Sequence, residues 1–314
     1  MLAVVCPGQG AQTPGMLSPW LELPGTAELL GGWSERTGVD LVAHGTTSDA
    51  ETIRDTAIAQ PLLTASALAT ASHALASDGP QPDVVAGHSV GEFPAAALAG
   101  VLAAEDALAL VTVRGAAMAR AAAATPTGMS AVLGGDPDEV LAHLAELGLT
   151  PANVNGGGQV VAAGALDALA ALAEDPPARA RVVALQVAGA FHTTFMAPAV
   201  SELAEAAART TTTDPRVTLL SNADGAPVTS GTVALERLVA QVANPVRWDL
   251  CCEQLIALGV TGLLELAPGG VLTGLARRTL PGVATVALKT PDDLDAARSL
   301  IREHAGASAG QEDQ

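Results

Sequence analysis

The feature that most constrains the fold is an alternation of short apolar runs with longer stretches of helical periodicity. The short runs are rich in β-branched residues, which is typical of buried strands, and lie at 2–6, 84–86, 217–220, 262–266 and 283–287. The helical stretches lie at 61–77, 105–124, 197–209, 233–243 and 249–258. Parallel strands need a crossover between them, which is usually a helix. The alternation therefore predicts an α/β fold with a mostly parallel sheet.

The middle of the chain, residues 126–188, shows a different order of elements. Its strand and helix patterns follow one another as βαββαβ, the order of a ferredoxin-like unit. Asp136 is a typical N-cap, Pro137 fits a first helical turn, and the three glycines at 156–158 fit a hairpin. The strands are expected at 128–134, 151–155, 159–163 and 182–187, and the helices at 136–147 and 165–173.

This order divides the chain into two domains. Residues 1–125 and 189–304 would form the larger domain, with 126–188 inserted as the smaller one. A chain of 314 residues is long enough to bury two cores. The end of the chain, 305–314, is small and polar, so we expect it to be disordered.

The charge and composition argue against several functions. The formal net charge is −18 and aromatic residues make up 2% of the chain, whereas nucleic-acid-binding proteins use basic surfaces and stacking rings. Three cysteines give neither a disulfide framework nor metal-ligand spacing, which fits a reducing cytoplasm. The start of the chain lacks a basic signal region, and no run approaches the roughly 18 apolar residues of a membrane span. We therefore expect a cytoplasmic protein that binds no nucleic acid, metal or membrane.

The hexapeptide GHSVGE at 87–92 places Ser89 between two glycines. It follows a strand pattern and precedes a helical run at 93–102, which is the setting of a nucleophile elbow. In such a turn the serine hydroxyl is exposed for attack on an acyl group. The alternative is a tight turn in which serine is chosen for its small size. The strand and the helix on either side favour the nucleophile.

A serine nucleophile needs a base, and His192 is the best candidate among six histidines. Phe191 and Phe195 flank it, and apolar neighbours favour the neutral imidazole that can accept a proton. His88 adjoins Ser89, but neighbouring side chains in an extended turn point apart. The other histidines are expected at the surface: His44, His73, His143 and His304. The alternative for His192 is a core histidine satisfied by the backbone.

The stretch PGQGAQ at 7–12 follows the first strand pattern. A dinucleotide-binding GxGxxG motif is incomplete here, because Thr13 occupies the position of the third glycine. The two glycines instead allow backbone N–H groups to turn toward a site, as an oxyanion hole requires. The N–H groups of Gln9 and Val90 are the natural candidates.

Arg114 lies on the apolar face of the helical stretch 105–121. That face also holds Ala107, Leu110, Val111, Ala117 and Met118. An unpaired buried charge is too costly, so the guanidinium must meet an anion or a set of carbonyl oxygens. Two interpretations stay open at this point: a structural ion pair with an internal carboxylate, or a bidentate clamp for a substrate carboxylate.

Together these motifs resemble those of the malonyl-CoA:acyl-carrier-protein transacylases of fatty acid and polyketide synthesis, most closely the actinobacterial type. The resemblance covers nearly the whole chain, and it implies an α/β-hydrolase-like core that carries a ferredoxin-like subdomain. The matching stretches are PGQGAQ (7–12), AQPLL (59–63), GHSVGE (87–92), RGAAMA (114–119), GMSAVLGG (128–135), ANVNGGGQ (152–159), GAFHT (189–193), NPVRW (244–248) and APGGVLTGLARR (267–278).

The resemblance also implies a role for each candidate residue. Ser89 would be the nucleophile and His192 its base. The backbone amides of Gln9 and Val90 would bind the oxyanion. Arg114 would bind the carboxylate of the malonyl group.

Two further candidate residues, Asn155 and Arg247, follow from the resemblance, and Phe191 and Phe195 follow from their place beside His192. Asn155 and Phe191 would line the substrate cleft, with Phe191 and Phe195 limiting the room for an α-methyl branch. In place of a triad acid, a backbone carbonyl in NPVRW would orient His192, and this carbonyl would be that of Arg247.

The reaction implied is the transfer of a malonyl group from malonyl-CoA to the phosphopantetheine thiol of an acyl carrier protein, through a malonyl-serine ester. The resemblance implies no metal or cofactor and a monomeric enzyme. Three alternatives remain: a serine thioesterase or hydrolase, the malonyl-loading transacylase of a malonate decarboxylase, and a non-catalytic docking subunit. The presence of both Ser89 and His192 argues against the last of these.

Carrier proteins are typically acidic, so a chain with a net charge of −18 needs a local basic patch to meet one. Arg277 and Arg278 form the first candidate cluster, and Arg179 and Arg181 form the second. The alternative for the first pair is a solvated helix end whose arginines offset the helix dipole.

Overall fold

The computed structural model describes residues 1–75 and 79–306, and it shows a mixed α/β protein with two sheets. The described strands are β1 (Leu2–Cys6), β2 (Val84–Gly87), β3 (Thr127–Gly134), β4 (Thr150–Gly156), β5 (Gln159–Ala165), β6 (Ala180–Ala184), β7 (Thr218–Leu220), β8 (Pro227–Val228), β9 (Val246–Arg247), β10 (Gly262–Glu265) and β11 (Ala284–Ala287). The described α-helices are α1 (Thr26–Thr37), α2 (Leu41–Thr46), α3 (Thr56–Ala74), α4 (Glu92–Leu98), α5 (Ala104–Ala124), α6 (Pro137–Glu146), α7 (Leu166–Glu174), α8 (Ala197–Ala207), α9 (Gly231–Ala240), α10 (Trp248–Ala257), α11 (Val271–Thr279) and α12 (Leu294–His304).

The larger sheet has the strand order β11-β10-β1-β2-β7-β8 and is parallel except for the last pair. The prediction of an α/β protein with a mostly parallel sheet is confirmed. The central strands β1 and β2 run side by side, with Cys6 opposite Gly87. Because the carboxyl ends of parallel strands meet at one edge, the loop 7–12 and the turn at Ser89 emerge together.

Strand β1 shows why the larger sheet needs helices on both faces. Its five residues are fully buried, and alternate side chains point to opposite faces. Leu2 and Val4 pack into the core on the side of α3, α4 and α5, whereas Ala3 and Val5 pack against residues of α10 and α11. This two-sided burial is typical of parallel sheets.

The smaller sheet has the order β6-β3-β5-β4-β9. Its first four strands come from the stretch predicted as an insertion, and each is antiparallel to its neighbour. Strand β9 comes from later in the chain and pairs in parallel with β4. The Asp136 side chain accepts the backbone N–H groups of Asp138 and Glu139, as the N-cap prediction requires. The glycines at 156–158 all have positive φ in the hairpin between β4 and β5.

Several boundaries differ from the sequence-based expectation. The strand predicted at 182–187 is β6 at Ala180–Ala184, because its pairing with β3 ends at Ser130 opposite Ala184. The helix predicted at 61–77 begins earlier, at Thr56, and ends at Ala74. Helix α1 was not predicted, since Gly31 and Gly32 in its middle lower its helix propensity. The predicted disordered tail lies outside the described residues from position 307 onward.

Helix α5 qualifies the expectation that no segment could span a membrane. It is long and apolar enough to do so by length and composition, and it is the one such helix in residues 1–75 and 79–306. More than half of its most apolar stretch is buried, with α3 and α8 packed against it. A core helix passes the same test, and α5 is positioned as one.

Candidate active site

Ser89 lies in a tight turn that connects β2 to α4. Its φ is 53°, a left-handed conformation that non-glycine residues rarely adopt. A Cβ atom on Gly87 would lie 1.9 Å from the carbonyl carbon of Gly91, and one on Gly91 would lie 2.2 Å from the Cys6 carbonyl oxygen. Only glycine fits at either position, so the two glycines of the motif permit the strand and the helix to meet at this angle. This is the geometry of a nucleophile elbow.

The structure brings Ser89 and His192 together although they are 103 positions apart in the sequence. The Ser89 Oγ and the His192 Nε2 are 2.7 Å apart, and the pair is buried. The other ring nitrogen, Nδ1, is 2.8 Å from the backbone carbonyl oxygen of Gln241, which can only accept a hydrogen bond. The Nδ1 therefore carries the proton, which leaves Nε2 free to accept the proton of the serine.

The assignment of the orienting carbonyl to Arg247 was wrong. A short 3-10 helix, Gln241–Ala243, follows α9 and turns the Gln241 carbonyl toward the histidine. The Arg247 side chain instead forms a bidentate ion pair with Asp249, with hydrogen bonds of 3.0 and 2.7 Å. The backbone N–H of Arg247 donates to the carbonyl of Asn222.

The two phenylalanines expected around His192 differ in position. Phe191 is buried and lines the cleft. Phe195 is 38% exposed and does not line it, because a 3-10 turn at Thr194–Met196 directs that part of the chain outward. The expectation that Phe195 limits the acyl pocket was therefore wrong.

Burial strongly perturbs the pKa of His192. Desolvation is the largest cause and the charge of Arg114 adds to it, so the pKa falls to about 3, although the Gln241 carbonyl favours the charged ring. The imidazole is therefore neutral throughout the physiological range, as a general base must be.

This pKa predicts an unusual pH profile for the acylation of Ser89. The rate of ester formation in a single turnover should change by less than about twofold between pH 7.5 and 5.5, whereas an ordinary histidine would be about 90% protonated at pH 5.5. Rapid quenching with labelled acyl-CoA measures the rate. An acid limb with its midpoint near pH 6.5 would contradict the prediction.

The same measurement needs a check of folding. The pKa of His192 is lower in the folded than in the unfolded chain, so its contribution to stability is complete above pH 6.5 and falls as the pH drops. At pH 5.5 the loss is about 1.4 kcal/mol. Circular dichroism at each pH separates loss of structure from protonation of the base.

Arg114 reaches the same site from α5 and is 1% exposed. Its Nη1 donates to Gln60 Oε1 at 2.7 Å, and its Nη2 donates to Gln241 Oε1 at 2.9 Å. The Nη2 also lies 3.5 Å from the Ser89 Oγ, and the guanidinium carbon lies 5.7 Å from the centre of the Phe93 ring. The Nε has no hydrogen-bond partner among residues 1–75 and 79–306.

These contacts bear on the two interpretations of Arg114. Its hydrogen-bond partners in the described chain are oxygens of amides and a hydroxyl, not a carboxylate. The nearest acid, Glu92, lies behind Gln241 and accepts a hydrogen bond from that amide. Burial lowers the pKa of Arg114 to about 10, so the side chain stays charged at neutral pH. The arrangement leaves a cation facing the serine.

The remaining predicted residues lie along one cleft between the two sheets. Gln9 and Val90 line it from the larger sheet, and the Gln9 side chain is held by Thr56 at 3.3 Å. Asn155 lines it from β4 and is hydrogen-bonded to Gln159 and to His88 Nε2. The cleft has a volume of about 220 Å³, and Ser89 and His192 are among the residues that line it.

Sequence reasoning missed several residues that shape this site. His88 lines the cleft and packs edge-on against Trp248. Three buried polar side chains also surround the nucleophile: Glu92, Asn222 and Gln241. Gln60 and Glu92 fall within motifs noted in the sequence, so a buried polar residue in an apolar pattern was the available signal.

This arrangement can carry out acyl transfer. A hydroxyl hydrogen-bonded to a neutral imidazole can lose its proton as it attacks an acyl carbon. A guanidinium beside that hydroxyl can bind an anionic group on the acyl chain, since arginine forms strong paired hydrogen bonds with carboxylates.

Comparison with protein families supports this chemistry. The family model described as "Acyl transferase domain" matches residues 3–306. A Mycobacterium tuberculosis protein named malonyl CoA-acyl carrier protein transacylase is 56% identical over 303 residues, which cover 96% of this chain and 100% of that protein. The Escherichia coli protein of the same name is 35% identical over 305 residues, covering 95% of this chain and 99% of that protein.

Solved structures give the same result. The crystal structure of MCAT from Mycobacterium tuberculosis superposes with a TM-score of 0.91 at 55% identity and covers 95% of this chain and 99% of its own. A malonyl-transacylase in complex with its type II PKS acyl-carrier protein superposes with a TM-score of 0.89 at 31% identity, with the same coverage.

Proposed function

The chain belongs to the malonyl-CoA:acyl-carrier-protein transacylase family of acyl transferases, and from this we infer how its own residues transfer the malonyl group. The enzyme moves malonyl from malonyl-CoA to the phosphopantetheine thiol of an acyl carrier protein, through an ester on Ser89. One observation carries the assignment of residues: Ser89 Oγ lies 2.7 Å from His192 Nε2 and 3.5 Å from Arg114 Nη2.

In the first half-reaction, His192 Nε2 takes the Ser89 proton as the Oγ attacks the thioester carbon. The amides of Gln9 and Val90 stabilise the oxyanion that forms. The bond from carbon to sulfur then breaks, and CoA leaves as a thiolate that takes up the proton from His192. Arg114 holds the malonyl carboxylate during both steps.

In the second half-reaction, the carrier thiol gives its proton to His192 and attacks the malonyl-Ser89 ester. The bond from carbon to Oγ breaks, and the proton returns to the serine. A thiolate leaves far more readily than an amide nitrogen, so a carbonyl at Gln241 can replace a triad acid. No step requires a metal or cofactor.

The test of this function is incubation with labelled malonyl-CoA, with and without a phosphopantetheine-bearing carrier. The enzyme alone should retain one malonyl group per chain on the peptide 87–92, and the carrier should then remove it. Rapid release of free malonate without a carrier would instead indicate a thioesterase or hydrolase.

We propose a finer description of the fold on the same basis. The larger sheet fits an α/β-hydrolase-like core of residues 1–125 and 189–304, and the order β6-β3-β5-β4 supports a ferredoxin-like subdomain at 126–188. Strand β9 is the exception, because it joins the smaller sheet from the core. We further propose that the protein acts as a cytoplasmic monomer, and its net charge of −18 argues against a nucleic-acid partner.

We propose that the carrier docks beside the hairpin turn at 156–158. The cluster of Arg277 and Arg278 and that of Arg179 and Arg181 both lie next to this turn. On one side, a Cβ on Gly157 would lie 3.0 Å from the Cβ of Arg278. On the other side, Gly134 donates to the Gly158 carbonyl at 2.8 Å and lies against the Arg179 carbonyl. The arginine side chains are exposed and none is in an ion pair within the described residues. The helix that carries Arg278, α11, also lines the cleft.

Reversing two of these charges should weaken carrier binding and spare the chemistry. The double variant Arg277→Glu/Arg278→Glu should raise the carrier KM by about 3- to 30-fold at low salt, since surface charge contacts are each worth about 0.2–1 kcal/mol. Self-malonylation by malonyl-CoA should be unchanged. Steady-state kinetics with carrier and single-turnover labelling without it measure the two effects.

The matched control is Arg209→Glu/Arg302→Glu, which changes the net charge equally at exposed positions that do not line the cleft. An equal rise in carrier KM in both double variants would show that net charge matters and the cluster does not. An unchanged KM in the first variant would remove the cluster from the docking surface.

A further inference from the structure

The buried carboxyl group of Glu92 takes no direct part in the reaction above, yet it lies at the centre of the polar network behind Ser89. Its Oε1 accepts the backbone N–H of Asn222 at 2.7 Å, and its Oε2 accepts a hydrogen bond from the Gln241 side-chain Nε2. Glu92 and Gln241 are each 5% exposed. A carboxyl group buried in this way is costly unless its oxygens are satisfied, as both are here.

Gln241 is the link between this carboxyl group and the substrate site. Its Oε1 accepts from Arg114 Nη2 at 2.9 Å, while its backbone carbonyl orients His192. A guanidinium can only donate, so the amide must present its oxygen to Arg114 and its nitrogen to Glu92. Burial raises the pKa of Glu92 to about 8, yet both of its oxygens accept a hydrogen bond here, one from the Asn222 N–H and one from the Gln241 Nε2, which is the arrangement of a carboxylate. The orientation of the Gln241 amide is therefore set by the carboxyl group on its far side.

We propose that Glu92 is a positioning residue that fixes the Gln241 amide, and through it the Arg114 guanidinium, in the orientation that selects a carboxylate-bearing acyl group. The inference rests on the proposed role of Arg114 as the malonyl clamp. It adds that Glu92, which does not contact the substrate, determines the specificity of Arg114 through the hydrogen bonds of Gln241.

The other oxygen of Glu92, Oε1, supports the turn at Ser89. It accepts the backbone N–H of Asn222, and the Asn222 side chain in turn holds the backbone of that turn. Asn222 Oδ1 accepts the backbone N–H of Ser89 at 2.8 Å, and Asn222 Nδ2 donates to the Gly87 carbonyl at 2.8 Å. The backbone N–H of Asn222 cannot change its role as a donor, so a glutamine at position 92 would keep its oxygen on this contact. Its amide nitrogen would then face Gln241.

This asymmetry makes Glu92→Gln a selective variant. The new amide nitrogen would oppose Gln241 Nε2, donor against donor, unless Gln241 rotated its amide and turned Nε2 toward Arg114. In either arrangement Arg114 loses its acceptor or the network gains an unpaired donor. The elbow contact through Asn222 is preserved, so the attack on an acyl group without a carboxylate is affected much less.

The measurement is the ratio of kcat/KM for malonyl transfer to that for acetyl transfer. Glu92→Gln should lower this ratio by about 10- to 100-fold, since hydrogen bonds to charged groups are worth about 1.5–3 kcal/mol. Both rates scale with the amount of folded enzyme, so partial unfolding does not move the ratio. An equal fall in both rates, or no change in either, would overturn the proposal.

A charge swap gives a second test. Gln241→Glu places two carboxyl groups against each other and should also lower the ratio. The double variant Glu92→Gln/Gln241→Glu restores a donor facing an acceptor and returns an oxygen to Arg114, so its ratio should be higher than that of Gln241→Glu alone, although the carboxylate at position 241 also pairs with Arg114. A ratio in the double variant that is no higher than that of Gln241→Glu would contradict the proposal, and this comparison remains usable if Glu92→Gln alone is insoluble.

Arg114→Ala in the same assay separates the inference from its premise. If Arg114→Ala leaves the ratio unchanged, the clamp itself is wrong. If Arg114→Ala collapses the ratio and Glu92→Gln does not move it, the clamp stands and the role of Glu92 fails.

Discussion

Replacing Ser89 with alanine should abolish the incorporation of label from malonyl-CoA. Removing a serine nucleophile slows comparable enzymes by about 10⁶-fold, because the remaining groups cannot form the covalent intermediate. Mass spectrometry of the peptide 87–92 and the release of free CoA measure the two products of acylation. We expect neither above background over the time in which wild type is fully labelled.

The fold should survive this change. Alanine at position 89 would adopt the same positive φ as serine, and the backbone N–H that donates to Asn222 is retained. Ser66→Ala is the matched control, because it removes a buried hydroxyl that donates to the Leu62 carbonyl on α3 and lines no part of the cleft. Labelling that persists in Ser89→Ala, with the control fully active, would assign the nucleophile elsewhere.

Replacing Arg114 with alanine should have the second-largest effect, and it should fall on one substrate. Loss of a charge-assisted bidentate contact in a buried site costs on the order of 2–5 kcal/mol, or roughly 30- to several-thousand-fold in kcat/KM for malonyl transfer. Acetyl-CoA has no carboxylate to lose, so acetyl transfer should be spared or improved. The two rates are measured side by side with the same carrier.

Two further variants show whether the effect of Arg114→Ala comes from the lost charge, the lost geometry or the loss of any arginine on this helix. Arg114→Lys should recover part of the malonyl activity, since an ammonium group supplies charge but cannot reproduce the planar fork. Arg120→Ala removes an arginine from the exposed side of the same helix, where it pairs with Glu202, and should leave both rates unchanged. If Arg114→Ala slows malonyl and acetyl transfer equally, the arginine is structural.

Much of the site could be predicted from the sequence because its signals are local. The elbow depends on two glycines and a serine within one turn, and the position of Arg114 follows from the periodicity of its own helix. The parallel sheet followed likewise from short apolar runs between helices. Each of these features depends on residues that lie within a few positions of the group concerned.

The features that could not be predicted depend on residues distant in sequence. The carbonyl that orients His192 belongs to Gln241 and not Arg247, and nothing local distinguishes two carbonyls six residues apart. The exposure of Phe195 depends likewise on a 3-10 turn that its apolar character does not reveal. The contact between Glu92 and Gln241 joins residues 149 positions apart, and only the packed fold brings them together.

Strand β9 has a mechanical consequence for the cleft. It is hydrogen-bonded to β4, which carries Asn155 on one wall, and it begins five residues after Gln241. A hinge at the two chain crossings near 125 and 189 would have to break this pairing, so the wall and the strand move as one body. This pairing therefore ties the wall that carries Asn155 to the segment whose Gln241 carbonyl orients His192.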